Sequence, residues 1–138
     1  SSGNEPRTAL EITIILPSED TISFVGTHLD HLKDDTDRVT QTTDLNRAFI
    51  GNDHPTILAG DLNDTPGSRA MNILEKEWTS AYNKTNPQPT FPSIEPIKKI
   101  DYVMFRPSSR WLVLSKEVIC DKVASDHCGY LVTLELKN

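Results

Sequence analysis

The sequence predicts an α+β fold, and three observations carry that prediction. Residues 10–16 and 21–28 are rich in β-branched and apolar side chains, and the turn sequence Pro17-Ser18-Glu19-Asp20 joins them as a hairpin. Val39, Thr42, Leu45, Ala48 and Phe49 then recur at helical spacing. Near the end, Tyr130, Val132, Leu134 and Leu136 alternate with Thr133, Glu135 and Lys137, as a strand with one covered face requires.

The elements follow in order. Residues 1–9 read as a polar, frayed start, and the opening Ser1-Ser2-Gly3 without a Met suggests a processed or expression-derived end. Residues 10–138 are then the domain. The strand 21–28 has apolar residues on both parities (Ile22 and Phe24 against Val25), the pattern of a strand covered on both faces. Asp34-Asp35-Thr36-Asp37 supplies caps and first-turn acids for the helix, and Gly51-Asn52 closes it. Residues 56–60 form a short uncharged run, read as a buried central strand in which Gly60 admits a close neighbour. Asp61 and Asn63 follow, and Thr65-Pro66-Gly67 ends the strand. A shorter helix is expected over 68–78, with Met71 and Leu74 as its apolar positions. Residues 79–99 carry Pro87, Pro89, Pro92 and Pro96, and a loop of that length is functional or flexible. Strands are expected over 100–106 and 111–120, then a turn over 121–126, with His127 leading into the last strand.

Length and composition set outer bounds. A chain of 138 residues suits one domain, and 36% hydrophobic with 25% charged residues is an ordinary globular composition. The net charge of −6 weighs against tight nucleic-acid binding, but not against a phosphate ester reached through a metal ion. No apolar run approaches the roughly 20 residues that span a bilayer. Cys120 and Cys128 form neither a disulfide framework nor a zinc spacing, and read as two small buried hydrophobes.

Polar clusters sit at the strand ends: Thr27-His28, Asp61-Leu62-Asn63, Asp101 and Ser125-Asp126-His127. Hydrolysis of a phosphate ester needs a carboxylate to take a proton from water, donors for the phosphoryl oxygens, and a hard cation held by oxygen ligands. These residue types meet that list together. Singly, each has a plainer reading. His28 suits the surface, Asp61 with Asn63 a self-bonded turn, Asp126-His127 a cap, and Asp101 an ion pair with Lys98 or Lys99. Asp30 and His31 read as surface or capping residues, Arg38 as part of a solvated helix face, and His54-Pro55 as a turn. Cys128-Gly129-Tyr130-Leu131 is no phosphate-cradling loop, so a cysteine nucleophile is not expected.

Thr27-His28-Leu29, Gly60-Asp61-Leu62-Asn63, Ile100-Asp101-Tyr102 and Ser125-Asp126-His127, with Thr90-Phe91-Pro92 before the third, stand in an order that resembles the endonuclease/exonuclease/phosphatase superfamily. The likeness to this DNase I-like fold runs from about residue 12 to residue 136. It implies a metal-dependent phosphoesterase working through activated water. Asp61 is then the base, and Asn63 a donor to the phosphoryl group. His28 and His127 contact the phosphate, with Asp101 orienting His127. Asp126 and Asp61 would ligate Mg2+, with Mn2+ a substitute. The superfamily domain is a two-sheet sandwich whose first half carries an Asn motif and a Glu motif, the Glu being the principal metal ligand. Neither motif is present here. The chain is therefore expected to be the carboxyl-terminal half: one sheet with flanking helices, inactive alone, and partnered by the missing half or by a second copy covering the sheet. The alternative is a non-catalytic interaction module that keeps the fold. The motifs do not distinguish nucleic acid, lipid, inositol phosphate or nucleotide as substrate.

Overall fold

The computed structural model describes residues 5–138, so residues 1–4 of the expected polar start lie outside the described residues. Strand β1 (Ala9–Ile15) pairs antiparallel with β2 (Thr21–His28), the expected hairpin. Helix α1 (Thr36–Phe49) crosses over, and β3 (Thr56–Asp61) lies parallel to β2. Helix α2 (Arg69–Leu74), capped by Ser68, is shorter than the sequence suggests; single turns carry the chain on to the buried Trp78. The short β4 (Thr79–Ser80) and β5 (Asp101–Arg106) complete a mixed five-stranded sheet of order β1-β2-β3-β5-β4.

A single sheet was expected; the structure has a second. Pro107 has no N–H for a ladder, and a 3-10 turn over Ser108–Arg110 redirects the chain there. The Trp111 indole N–H donates to the Arg106 carbonyl (3.0 Å) and fixes the bend. Strands β6 (Trp111–Ile119) and β7 (Gly129–Leu136) then form a separate two-stranded sheet. The same hairpin corrects the reading of the cysteines. Its register pairs Ile119 with Gly129, so Cys120 and Cys128 face each other one step beyond, and they are joined as a disulfide.

Two apolar layers hold the strands. On one face, Val25, Leu58, Tyr102 and Met104 pack with Leu45 and Phe49 of α1 and Met71 and Leu74 of α2. On the other, Ile22, Ile57 and Phe105 meet Trp111, Val132, Leu134 and Leu136, so the period-two pattern of β7 is its contact face. This second layer is open. A cavity of about 560 Å³ remains between the sheets, lined by Phe24, Ile57, Ala59, Val103 and Val132 among others. No helix among the described residues is long and apolar enough to cross a membrane.

A close backbone approach lies between β2 and β3. Gly60 has φ +155°, and a Cβ there would fall 1.8 Å from the Thr27 carbonyl oxygen. Gly60→Ala is therefore expected to cost about 3 kcal/mol or more, by strain and by forcing the strands apart. The urea midpoint followed by circular dichroism checks this; an unchanged midpoint would mean the approach is not required.

Candidate active site

The strand register assembles the site. In the parallel β2–β3 pair His28 lies opposite Asp61, and in the antiparallel β3–β5 pair Asp61 lies opposite Asp101. Three residues far apart in the chain thus stand side by side at one end of the sheet. His127 arrives from the β6–β7 loop, with Nδ1 2.9 Å from Asp101 Oδ2 and Nε2 3.8 Å from Asp61 Oδ2. His28 Nε2 is 3.5 Å from the same Asp61 oxygen, so both imidazoles converge on it. Asp61 Oδ1 accepts the Asn63 backbone N–H (2.8 Å). Asn63 sits at φ +51°, and its side-chain amide donates to the Leu29 carbonyl (3.0 Å), which joins the loop after β2 to the loop after β3.

Electrostatics follow from this crowding. Burial raises the pKa of the Asp61 carboxyl, and the Asp101 charge adds to the rise; the Asn63 N–H and the two histidines oppose it. Burial acts to lower the pKa of His127, but the hydrogen bond and charge of Asp101, with Asp61 and Asp126, outweigh it and raise the pKa. Thr90 Oγ1 donates to Asp101 Oδ2 (2.6 Å), and the Phe91 ring lies 4.8 Å from the His127 ring between centroids. Thr90-Phe91-Pro92 was noted in the sequence without a role; this contact supplies one.

Several surrounding residues depart from expectation. Arg38 is buried rather than on a solvated face: its Nε donates to Asp64 Oδ2 (3.1 Å), and Nη1 to the carbonyls of Asp30 and Leu32 (3.1 and 2.6 Å). Asp30 is likewise buried, 3.9 Å from Arg38, and accepts the Leu32 N–H, while His31 is exposed as expected. Lys99 makes no surface ion pair. It is buried, donates to the Asp101 carbonyl (2.9 Å), and lies 3.5 Å above the Tyr130 ring centroid. Asp126 has an exposed side chain; its carbonyl accepts the Ser93 N–H (2.7 Å).

Comparison with known proteins gives the family and the fold. The model of the endonuclease/exonuclease/phosphatase family matches residues 4–127. The chain belongs to this family. Among solved structures, an endonuclease/exonuclease/phosphatase from Bacteroides vulgatus is 26% identical with a TM-score of 0.80, the match covering 95% of this chain and 56% of that one. A family protein from Leptotrichia buccalis is also 26% identical, with a TM-score of 0.69 over 93% of this chain and 53% of that one. The mannosyl-6-phosphatase of Bacteroides thetaiotaomicron shares the fold, at 19% identity and a TM-score of 0.60 over 86% of this chain and 53% of that one. The chain thus spans about half the length of the structures it matches. No match was found among curated protein sequences.

Enzymes of this family generally depend on a divalent metal ion. Asp61, Asp101 and His127 could hold one, since one ligand atom from each lies within 4.8 Å of the others. Two half-buried carboxylates facing each other are also a place that a cation would neutralise. The fit is partial. Asp101 is engaged by His127 and Thr90, and Asp61 by the Asn63 N–H with the two histidines nearby, and a magnesium ion needs more oxygen ligands than these two carboxylates offer.

The buried lysine offers a test of the electrostatics. Burial lowers the Lys99 pKa to about 8 from the ordinary 10.5, against the pull of Asp101. Between those values the unfolded chain binds more protons than the folded one, so the contribution of this group to stability rises with pH. From pH 8 to about 9.5 that rise is on the order of 2 kcal/mol. Lys99→Met should remove it, as read from denaturation midpoints at the two pH values; an identical pH slope in the variant would refute the burial argument.

Proposed function

We propose that this chain carries the catalytic edge of a metal-dependent phosphoesterase. The observation that carries the reading is the convergence of His28 and His127 on one oxygen of Asp61, with His127 braced by Asp101. In the proposed reaction a water oxygen attacks phosphorus in line and the ester P–O bond breaks. Asp61 takes the proton of the attacking water; its raised pKa makes it a better base than an exposed aspartate. His28 and His127 hold the phosphoryl oxygens as charge builds, and the Asp101 carboxylate favours the protonated form of His127. The second hydrogen of the Asn63 side-chain amide is available to the same oxygens. A divalent ion, Mg2+ or Mn2+, would share the phosphoryl charge when bound. Asp61 is the ligand offered here, with Asp126 on the neighbouring loop as the second.

The remaining ligands are assigned to the amino-terminal half of such a domain. Two observations support this: matched structures are about twice as long, and the groove between the sheets is apolar and open. The occupant of that groove is, in this reading, the other half of the sandwich. A stable dimer of this chain by sedimentation would instead put a second copy there. A full-length protein that hydrolyses no phosphate ester would favour the binding-module alternative.

Two results are expected from the full-length protein on bis(p-nitrophenyl) phosphate and p-nitrophenyl phosphate. Asp61→Ala should lower kcat/KM about 1,000-fold, within the usual range for a general base. Chelation by EDTA should abolish turnover, and added Mg2+ or Mn2+ should restore it. Full activity in either case would sink the mechanism.

A further inference from the structure

His127 reaches the site on a loop that has little of its own to hold it. Residues 121–126 are all exposed. Their side-chain bonds within the loop are local: Asp121 Oδ1 accepts the Val123 and Ala124 N–H groups, and Ser125 Oγ accepts the His127 N–H. The hairpin beneath is thinly packed at this end. Residues 114–117, Ile119 and Gly129 are exposed, so little apolar burial resists fraying of the last ladder pairs. The His127 ring is nevertheless 2.9 Å from Asp101. From outside the loop, Ser93 donates to the Ser125 and Asp126 carbonyls, and the Cys128 N–H donates to the Thr90 carbonyl (2.7 Å each). The other tie is covalent. Cys120 and Cys128 close the loop one step beyond the final pair, and the buried Cys128 is the residue next to His127.

We propose that the Cys120–Cys128 disulfide is a positioning element of this site. It pins the base of the loop so that the His127 ring stays within reach of Asp101 and Asp61. Where core packing would normally fix a hairpin end, a covalent closure does so, by cutting the conformations open to the loop. The competence of the site then depends on the oxidation state of this pair. The activity arm of the test rests on the phosphoesterase reading; the spectroscopic arm does not.

Two routes open the bond in the full-length protein. Cys120→Ala removes the exposed sulfur and keeps the buried one, so packing around Cys128 is retained. Alternatively, dithiothreitol acts on the folded wild type: it delivers two electrons and two protons to give two thiols, and closes to its own cyclic disulfide. The first readout is the long-range proton–nitrogen NMR signal of the His127 ring. In the oxidised protein it should report one fixed state with Nδ1–H bonded to Asp101. Both routes should shift it toward the averaged signal of a free histidine and leave the His54 signal unchanged. The second readout is turnover of bis(p-nitrophenyl) phosphate. Breaking the bond should lower kcat about 10- to 100-fold, as for other residues that orient a functional group. KM should stay within about threefold, because phosphate contacts other than His127 remain. In a His127→Ala background, Cys120→Ala should cause no further loss, whereas a merely structural role would multiply the two. An unchanged His127 signal on both routes, or multiplied losses, would overturn the proposal. If the oxidised wild type turns over no substrate, the phosphoesterase reading fails and the ring signal alone decides this one.

Discussion

The register of β3 between its two neighbours is the constraint on which the rest of the site depends. Parallel pairing with β2 and antiparallel pairing with β5 meet at Asp61, which thereby faces His28 on one side and Asp101 on the other. A slip of one residue in either pairing would turn the carboxylate to the opposite face. The pairing is enforced from below by fully buried Leu58 and Met104, and from the side by the contact of Gly60 with Thr27. Two carboxylates opposite one another on a sheet repel. Their proximity persists because favourable partners surround them: His127 and Thr90 bond Asp101, the Asn63 N–H donates to Asp61, and the His28 imidazole stands 3.5 Å from it.

A wider ring of polar contacts fixes the loops that leave these strands. Backbone groups in such loops cannot be satisfied by a ladder, so side chains serve them. Arg38 reaches from α1 to bond Asp64 after β3 and the carbonyls of Asp30 and Leu32 after β2. Asn63 bridges the same two loops through Leu29, and Ser93 ties the proline-rich stretch to the loop of Asp126. Buried charges of this kind persist only when paired, so removing one partner destabilises far more than the pair contributes as a whole.

Much of this was legible in the chain because it is local. Periodicity of two or of 3.6 residues marks the strands and α1, and the turn residues mark their ends. The ordered motifs named His28, Asp61, Asn63, Asp101 and His127, and the structure brings all five together at one end of the sheet. Arg38 was partly legible as well. It shares a helical stripe with Thr42, Leu45 and Phe49, the buried residues of α1. A buried arginine is credible, however, only once its partners are known, and Asp64 is 26 positions away.

Other features were decided by tertiary structure alone. Lys99 and Asp101 sit two positions apart, the spacing of an ordinary surface pair. Only the arrival of β7 places Tyr130 over the ammonium and buries it. Nothing in the spacing of Cys120 and Cys128 says whether they meet; the pairing of β6 with β7 sets them opposite each other. The second sheet likewise follows from the bend between Pro107 and Trp111, where a ladder donor is missing and an indole holds the turn. The sequence by itself determined which residues are chemically equipped and which local elements carry them, since both depend on near neighbours. Register, loop closure and burial of charge depend on pairings between distant segments, and those pairings decided how the equipped residues face one another.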